Sequence, residues 1–194
     1  YGLCWFDGTN FGIIPQQQTG GLPHAQIYDI EVKNLSDGYE MWISCASRGI
    51  AVLTVDNPAI FSLNLTMFIE GFYRSNTNSM ISDSVKVYLR NSTAPYALKD
   101  SAKSVLSSSG NAALGFSNVT TGQYYIVVNH RNSLETWSRN GGELFTAGGS
   151  LNYNMSDQIT KAYGRNLKQV DTSPVRFADY SGDVNQDGSV DLTD

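Results

Sequence analysis

Short runs of alternating apolar and polar residues follow one another along the chain, and this two-residue period predicts β-strands. In the first 56 residues the runs are IYDIEV at 27–32, EMWISC at 40–45 and GIAVLTV at 49–55. The turn between the last two is expected at Ser47-Arg48-Gly49, and the Pro- and Gln-containing stretch at 15–23 is expected to be a loop.

A break at Asp56-Asn57-Pro58 separates these runs from a second series, because proline is confined to linkers and sheet edges. The predicted strands of the second series lie at 63–69, 85–89, 113–116, 124–128, 136–137 and 151–155. A turn at Thr121-Gly122 is expected to close a hairpin between the third and the fourth, and residues 97–106 are expected to hold a short helix. Short strands at this spacing, separated by Gly and Asn clusters, predict a β-sandwich.

The composition fits strands and turns and argues against a nucleic-acid partner and a transmembrane segment. Only 16% of the residues are charged, which leaves many polar positions to Ser, Thr, Asn and Gly. Residues 1–178 contain 13 acidic and 13 basic side chains, whereas the last 16 residues contain five Asp and no Lys or Arg. A neutral body gives no electrostatic footprint for nucleic acid. No apolar run approaches the roughly 18 residues of a membrane span, so no transmembrane segment is expected.

The sharpest motif is the acidic segment at 183–194, D-V-N-Q-D-G-S-V-D-L-T-D. Its spacing fits the 12-residue EF-hand calcium loop, in which hard oxygen ligands alternate and a glycine at position 6 permits a sharp turn. Val190 is expected to point inward and anchor the loop. The predicted calcium ligands are Asp183, Asn185, Asp187, Ser189 through its backbone carbonyl, Asp191 and Asp194. The alternative is a disordered acidic tail.

Three parts of the chain resemble bacterial modules. The first 50 residues contain, in order, the pieces of one blade repeat of two-component-regulator-type β-propellers: Gly2-Leu3, Phe6-Asp7-Gly8, Gly21-Leu22-Pro23, Trp42-Ile43 and Gly49-Ile50. The segments VKVYLRN at 85–91 and GNAALGFSNVTTGQYYIVVNHR at 110–131 resemble prealbumin-like sandwiches of bacterial surface proteins. The acidic loop resembles a dockerin repeat, which also has Asp at position 12. More broadly, residues 62–194 look like the C-terminal region of large secreted proteins of Bacteroidetes-type bacteria.

These resemblances imply an all-β fold in four parts and an extracellular or cell-surface location. The parts are a small blade-like β-sheet segment at 1–56, a linker at 57–61, a prealbumin- or immunoglobulin-like β-sandwich at 62–170, and a linker with the EF-hand-like calcium loop at 171–194. A propeller typically needs four to eight blades, and this chain has barely one. The strand edges of this single blade-like segment therefore need to pair with another strand.

The blade alignment also places Cys4 and Cys45 on neighbouring elements. The resemblance therefore implies that the two cysteines lie close together and form a possible disulfide, which would suit an oxidising compartment. Two buried free thiols are the alternative.

No recognisable catalytic motif is present, and we expect no enzyme activity. His24 in a loop and His130 at the end of a strand are interpreted as surface or strand-end histidines, outside any nucleophile or metal motif. A glycosidase pair could arise from Glu70, Asp100 and Glu135 only by a coincidence of folding.

The leading functional hypothesis is a structural module that self-associates into an extracellular homopolymeric fibre by head-to-tail β-strand contacts. The alternative is a glycan-binding or adhesive module, since Trp5, Trp42 and Trp137 with 11 Tyr could supply a sugar-stacking surface. Trp42 fits a core position of the blade, which leaves Trp137 as the better candidate for exposure. A third possibility is a passive spacer beside a sorting or docking domain.

Overall fold

The structure is a computed structural model, and it describes residues 2–6, 11–15, 26–35, 38–46, 49–56 and 60–194. Contacts within the chain divide it into two units, Tyr1–Pro58 and Ala59–Asp194. Strands dominate the described part of both units, and the helical residues there belong to short 3-10 turns, so the all-β prediction is confirmed. Among the described residues, no helix is long and apolar enough to cross a membrane.

The first unit contains two antiparallel sheets in its described part. Their strands are β1 (Gly2–Phe6) and β2 (Phe11–Pro15) in one sheet, and β3 (Ile27–Asn34), β4 (Gly38–Cys45) and β5 (Gly49–Asp56), in that order, in the other. The three-stranded sheet contains the three predicted runs, and Cys45 pairs with Gly49 where the turn between β4 and β5 was expected. A small cluster around buried Ile43 and Cys45 lies on one face of this sheet.

The opposite face of the three-stranded sheet exposes large apolar side chains. Trp42 on β4 pairs directly with Val52 on β5, so the two side chains share a face, and Ile50 lies two residues along the same strand. Trp42 is 43% exposed, Val52 49% and Ile50 62%. The expectation that Trp42 occupies a blade core is therefore wrong, because its side chain projects from the face opposite Ile43.

Residues 60–194 form the second unit's twelve described strands and three 3-10 turns. The strands are β6 (Phe61–Thr66), β7 (Tyr73–Arg74), β8 (Ser79–Met80), β9 (Asp83–Asn91), β10 (Leu98–Leu106), β11 (Asn111–Phe116), β12 (Gly122–Asn129), β13 (Thr136–Trp137), β14 (Glu143–Phe145), β15 (Ser150–Asn154), β16 (Lys168–Thr172) and β17 (Val175–Ala178). The 3-10 turns span Glu70–Phe72, Ile159–Lys161 and Tyr163–Arg165.

Two sheets of the second unit share one hydrophobic core. The five-stranded sheet has the order β10-β9-β12-β13, with β14 also paired to β12, and the three-stranded sheet has the order β11-β6-β15, in which β15 runs parallel to β6. Alternate residues of the strands point into the core, as the two-residue period requires. Core residues from both sheets include Phe61, Leu63, Leu65, Val87, Leu89, Phe116, Ile126, Val128 and Phe145.

Two local predictions for the second unit are wrong. The segment expected to hold a short helix is strand β10, which pairs with β9 along its length, from Leu98–Arg90 to Leu106–Asp83. The hairpin expected at Thr121-Gly122 does not form, because β11 pairs with β6 whereas β12 pairs with β9. Strand β10 pairs with its sequence neighbour β9, whereas β11 and β12 pair with strands distant in sequence. In both cases strand pairing overrides the local signal.

The segment expected to be a linker after residue 170 belongs to the second unit. Strands β16 and β17 form an antiparallel hairpin, Ala178 is buried in the main core, and Val170 packs against it. The chain then continues alongside two other segments of the unit, with bridges from Asp179 to Ile69 and from Ser181 to Ser133. The acidic loop therefore starts from an anchored backbone.

Candidate functional site

The predicted calcium loop begins at a buried carboxylate. Asp183 is 2% exposed, whereas residues 184–194 are exposed. Two loop positions adopt the left-handed backbone region, Gln186 at φ +62° and Gly188 at φ +86°. The glycine falls at position 6, where the motif predicts a sharp turn that few other residues tolerate.

Backbone N–H groups of the loop point at the side-chain oxygens of its first half. The Asp183 carboxylate accepts hydrogen bonds from the N–H of Asp187 at 3.2 Å and of Gly188 at 3.1 Å. The Asn185 side-chain oxygen accepts from the N–H of Asp187 at 2.9 Å, and Asp187 accepts from the N–H of Ser189 at 2.9 Å. These contacts wrap the backbone around the oxygens at positions 1, 3 and 5.

The last residue closes the loop back on its start. Asp194 accepts hydrogen bonds from the N–H of Val184 at 3.0 Å and from the N–H of Asp191 at 2.8 Å. Asp191 in turn accepts from the N–H and the hydroxyl of Thr193, both at 2.8 Å, and these bonds lower the pKa of its carboxyl group. Position 12 is thus brought next to position 2, as a loop that encloses an ion requires.

The chemistry of the loop suits calcium, because its side chains offer only hard oxygen donors. Within the part of the chain that the structure describes, no three carboxylate, imidazole or thiol groups gather closely enough to constitute a metal centre by themselves. Amide and backbone oxygens would therefore have to complete a calcium shell.

Val190 does not anchor the loop from inside, since it is 52% exposed, and a Cβ at Gly182 would lie 2.7 Å from its methyl group.

Gln186 ties the loop to the segment that follows β12, and the sequence analysis did not single it out. Its side-chain amide donates to the backbone carbonyls of His130 at 3.2 Å and Ser133 at 3.4 Å, and its oxygen accepts from the Asn129 side chain at 2.8 Å. Position 4 of a calcium loop is not a ligand position, so the motif gave no signal for this role.

His130 lies at a strand end as expected, but it is buried rather than at the surface. Its ring meets Phe72 edge-on with the centroids 5.2 Å apart, and Nε2 lies 3.4 Å from a carboxylate oxygen of Asp83. Nδ1 accepts the N–H of Asn132 at 3.2 Å. Burial lowers the pKa of His130 and outweighs the opposing effect of Asp83. These contacts give the imidazole a structural role, and His24 lies outside the described residues.

The acidic residues considered for a glycosidase pair are engaged in separate contacts. Glu70 forms an ion pair with Lys168 and accepts the N–H of Ser181. Asp100 accepts the N–H of Asn118 at 2.9 Å. Glu135 accepts the indole N–H of Trp137 at 2.8 Å.

Both cysteines are free thiols in this structure. Cys4 on β1 is exposed, and Cys45 on β4 is buried. The thiol of Cys45 lies 3.9 Å from the carbonyl oxygen of Ile43. The disulfide implied by the blade alignment stays a prediction, which a thiol titration of the denatured, unreduced protein can decide.

Four aromatic side chains line a pocket in the second unit: Tyr96, Tyr125, Trp137 and Tyr163. From the sequence, Trp137 is the only one of the four that was singled out for ligand contact, and the tyrosines were considered only as a group of 11. The three tyrosines come from separate segments, so a sequence pattern could not have brought them together.

None of the protein-family models or curated proteins that were compared with this chain matches it.

Proposed function

We propose that this chain is a non-enzymatic structural module of a secreted or cell-surface bacterial protein, and that its copies assemble head-to-tail through the three-stranded sheet of the first unit. The observation that carries the proposal is the apolar patch formed by Trp42, Ile50 and Val52 on one face of that sheet. Soluble monomers rarely expose large contiguous apolar patches, and such patches usually mark interaction surfaces.

The sheet that bears this patch is also open at its edges. Strands β3 and β5 are its edge strands, and each pairs with β4 alone among the described residues. Free strand edges accept another strand, and a head-to-tail contact that does not close a ring produces a filament. Residues 1–178 have no net charge, so copies of the chain would repel one another little. These features support a second copy of the chain as the partner.

In this proposal the second unit is a β-sandwich that acts as the rigid body of the module. Its two sheets around a common core support that assignment. The acidic loop would bind calcium through Asp183, Asn185, Asp187, Asp191 and Asp194 with the Ser189 carbonyl. A bound cation would neutralise the clustered carboxylates and hold the chain end against the segment that Gln186 contacts. The resemblance to dockerin repeats and surface sandwiches supports an extracellular location.

A pair of single substitutions tests the assembly. Val52→Lys places a charge in the apolar patch, whereas Leu144→Lys places the same charge at a leucine of the second unit that is 63% exposed. We expect the parent chain and Leu144→Lys to form filaments at high concentration, and Val52→Lys to stay monomeric, by light scattering and negative-stain microscopy. Deleting residues 1–56, which removes the sheet that bears the patch, should likewise leave a folded second unit that no longer polymerises.

Two results would overturn the assembly proposal. One is a parent chain that stays monomeric at high concentration. The other is a Val52→Lys variant that forms the same filaments as the parent.

A further inference from the structure

The aromatic pocket lies on the outer face of the five-stranded sheet, away from the main core. Tyr124, Ile126 and Val128 of β12 point into the core, so the alternating residue Tyr125 projects from the other face. Val127 lies two residues beyond Tyr125 and on the same face of β12. Trp137 on β13 pairs with Val127, so its side chain stands beside Tyr125. Tyr96 reaches this face from the connection between β9 and β10, and Tyr163 from the 3-10 turn Tyr163–Arg165.

The rings form the walls of a pocket rather than a stack. The ring centroids of Tyr125 and Trp137 are 5.2 Å apart at an interplanar angle of 61°, and those of Tyr96 and Trp137 are 5.9 Å apart at 88°. Tyr163 meets Tyr125 at 6.2 Å and 79°. The pocket that the rings line has a volume of about 380 Å³. That is the lower end of the size range of small-molecule pockets, roughly 300–1,000 Å³.

Hydrogen bonds fix two of the rings and leave two hydroxyl groups available. The Tyr125 hydroxyl donates to the Asn140 side-chain oxygen at 3.3 Å and accepts the N–H of Gly141 at 3.1 Å. Glu135 holds the edge of the Trp137 indole. The hydroxyls of Tyr96 and Tyr163 have no hydrogen-bond partner among the described residues. The pocket therefore combines a preorganised apolar wall with polar groups that a ligand can use.

A guanidinium group at the pocket decides between ligand classes. The Cζ atom of Arg90 lies 5.9 Å from the ring centroid of Trp137, and its Nη1 donates to the carbonyl of Tyr96 at 3.3 Å. The Nε atom of Arg90 is buried without a hydrogen-bond partner. Aromatic cages that bind quaternary ammonium groups offer their ring faces to the cation of the ligand. Here a cation of the protein already contacts the indole, so a cationic ligand would be repelled.

We propose that this pocket binds a neutral pyranose ring of a glycan. The apolar C–H face of a pyranose suits the electron-rich faces of aromatic rings, and its hydroxyl groups suit the free hydroxyls of Tyr96 and Tyr163. An uncharged ligand also avoids repulsion by Arg90. This binding activity goes beyond the structural role proposed for the chain and does not depend on assembly.

A binding experiment with matched tyrosine variants tests the site. The full chain is applied to an array of neutral and acidic glycans, and the neutral glycan with the strongest signal is titrated while tryptophan fluorescence and the Trp137 indole NMR signal are followed. Tyr163→Ala removes a pocket wall that is 52% exposed, and Tyr180→Ala removes a tyrosine that is 36% exposed and does not line the pocket. Thermal unfolding of both variants is compared with that of the parent.

We expect a neutral glycan to bind, Tyr163→Ala to weaken binding at least tenfold, and Tyr180→Ala to bind as the parent does. Tyr163→Phe should fall between them, because it keeps the ring and loses only the hydroxyl. Tetramethylammonium chloride serves as the cationic probe and should not bind. The proposal is overturned if no neutral glycan binds, if Tyr163→Ala binds it as tightly as the parent, or if tetramethylammonium occupies the pocket instead.

Discussion

Strands β3 and β6 have the same kind of alternating sequence, IYDIEVKN and FSLNLT, but they differ in what happens to their apolar side chains. On β6, Phe61, Leu63 and Leu65 are buried and the residues between them are exposed or half-buried. On β3, Ile30 and Val32 remain exposed. Ile30 and Val32 pair with Ile43 and Met41, so they lie on the face that carries the small buried cluster. The same pattern thus gives a covered face in the second unit and only a partly covered one in the first.

The difference lies in what packs on the face. Strand β6 is the centre of a three-stranded sheet whose apolar side chains share a core with a five-stranded sheet. In the described part of the first unit, the β3-β4-β5 sheet has a cluster of only two buried residues, Ile43 and Cys45. Alternation determines which side chains share a face, and a second layer is needed to remove that face from water.

The largest expected effect comes from truncating matched apolar residues of the two sheets. Leu63→Ala should destabilise the second unit by about 2–5 kcal/mol, since it removes buried methyl groups and leaves a cavity. Val52→Ala in the first unit should change the free energy of unfolding by less than about 0.5 kcal/mol, as for an exposed surface position. Urea denaturation followed by circular dichroism measures both. Equal losses would show that the face bearing Val52, opposite Ile43, is covered in solution.

A smaller effect is expected from removing calcium. At a calcium concentration 100 times the dissociation constant, binding to the folded state alone contributes about 2.7 kcal/mol to the free energy of unfolding. Chelation should therefore lower the melting temperature of the second unit and leave that of the first unit unchanged. Asp183→Asn should abolish this shift, while Asp157→Asn, an exposed Asp outside the loop, should retain it. Calorimetry that detects no calcium binding to the intact protein would refute the loop assignment.

The smallest of the three effects concerns a defect in the better-packed unit. Asp179 is fully buried, neither of its carboxylate oxygens has a hydrogen-bond partner, and burial raises its pKa well above 3.8. Above pH 3.8 the folded state therefore binds more protons than the unfolded state. The stability that the Asp179 carboxyl group contributes is complete below pH 3.8 and is lost as the pH rises through its raised pKa.

Asp179→Asn should remove this loss and stabilise the protein at pH 8 by about 1–3 kcal/mol relative to the parent. The test is urea denaturation at several pH values between 4 and 8, with Asp157→Asn as the exposed control. If the parent and Asp179→Asn depend on pH in the same way, Asp179 is not the titrating group.

Several parts of the structure could be predicted because they depend on neighbours in sequence. The β4–β5 pairing, the strand at 124–128 and the glycine turn at position 6 of the acidic loop followed from local pattern. The strand at 98–106 was missed because LKDSAKSVL contains residues that also favour helix, and its pairing partner β9 decided the outcome. Local propensity is a weak signal where another strand is available for pairing.

The candidate sites likewise divide into those that depend on neighbours in sequence and those that join distant segments. The spacing within 183–194 identified the candidate calcium ligands, since a loop of 12 residues positions its own oxygens. The contacts of Gln186, the burial of His130 and the pocket of three tyrosines around Trp137 join residues from distant segments, and no sequence spacing encodes them.

By itself, the sequence determined where most of the longer strands form, which of their side chains share a strand face, and the oxygen-rich loop at 183–194. Each of these depends on the fixed geometry of a few consecutive residues. Only the tertiary structure decided that β11 and β12 belong to different sheets, that Asp179 is buried without a partner, and that Trp42 is exposed. Those outcomes depend on which distant segments pack together, because burial and strand pairing are properties of the whole core rather than of the local chain.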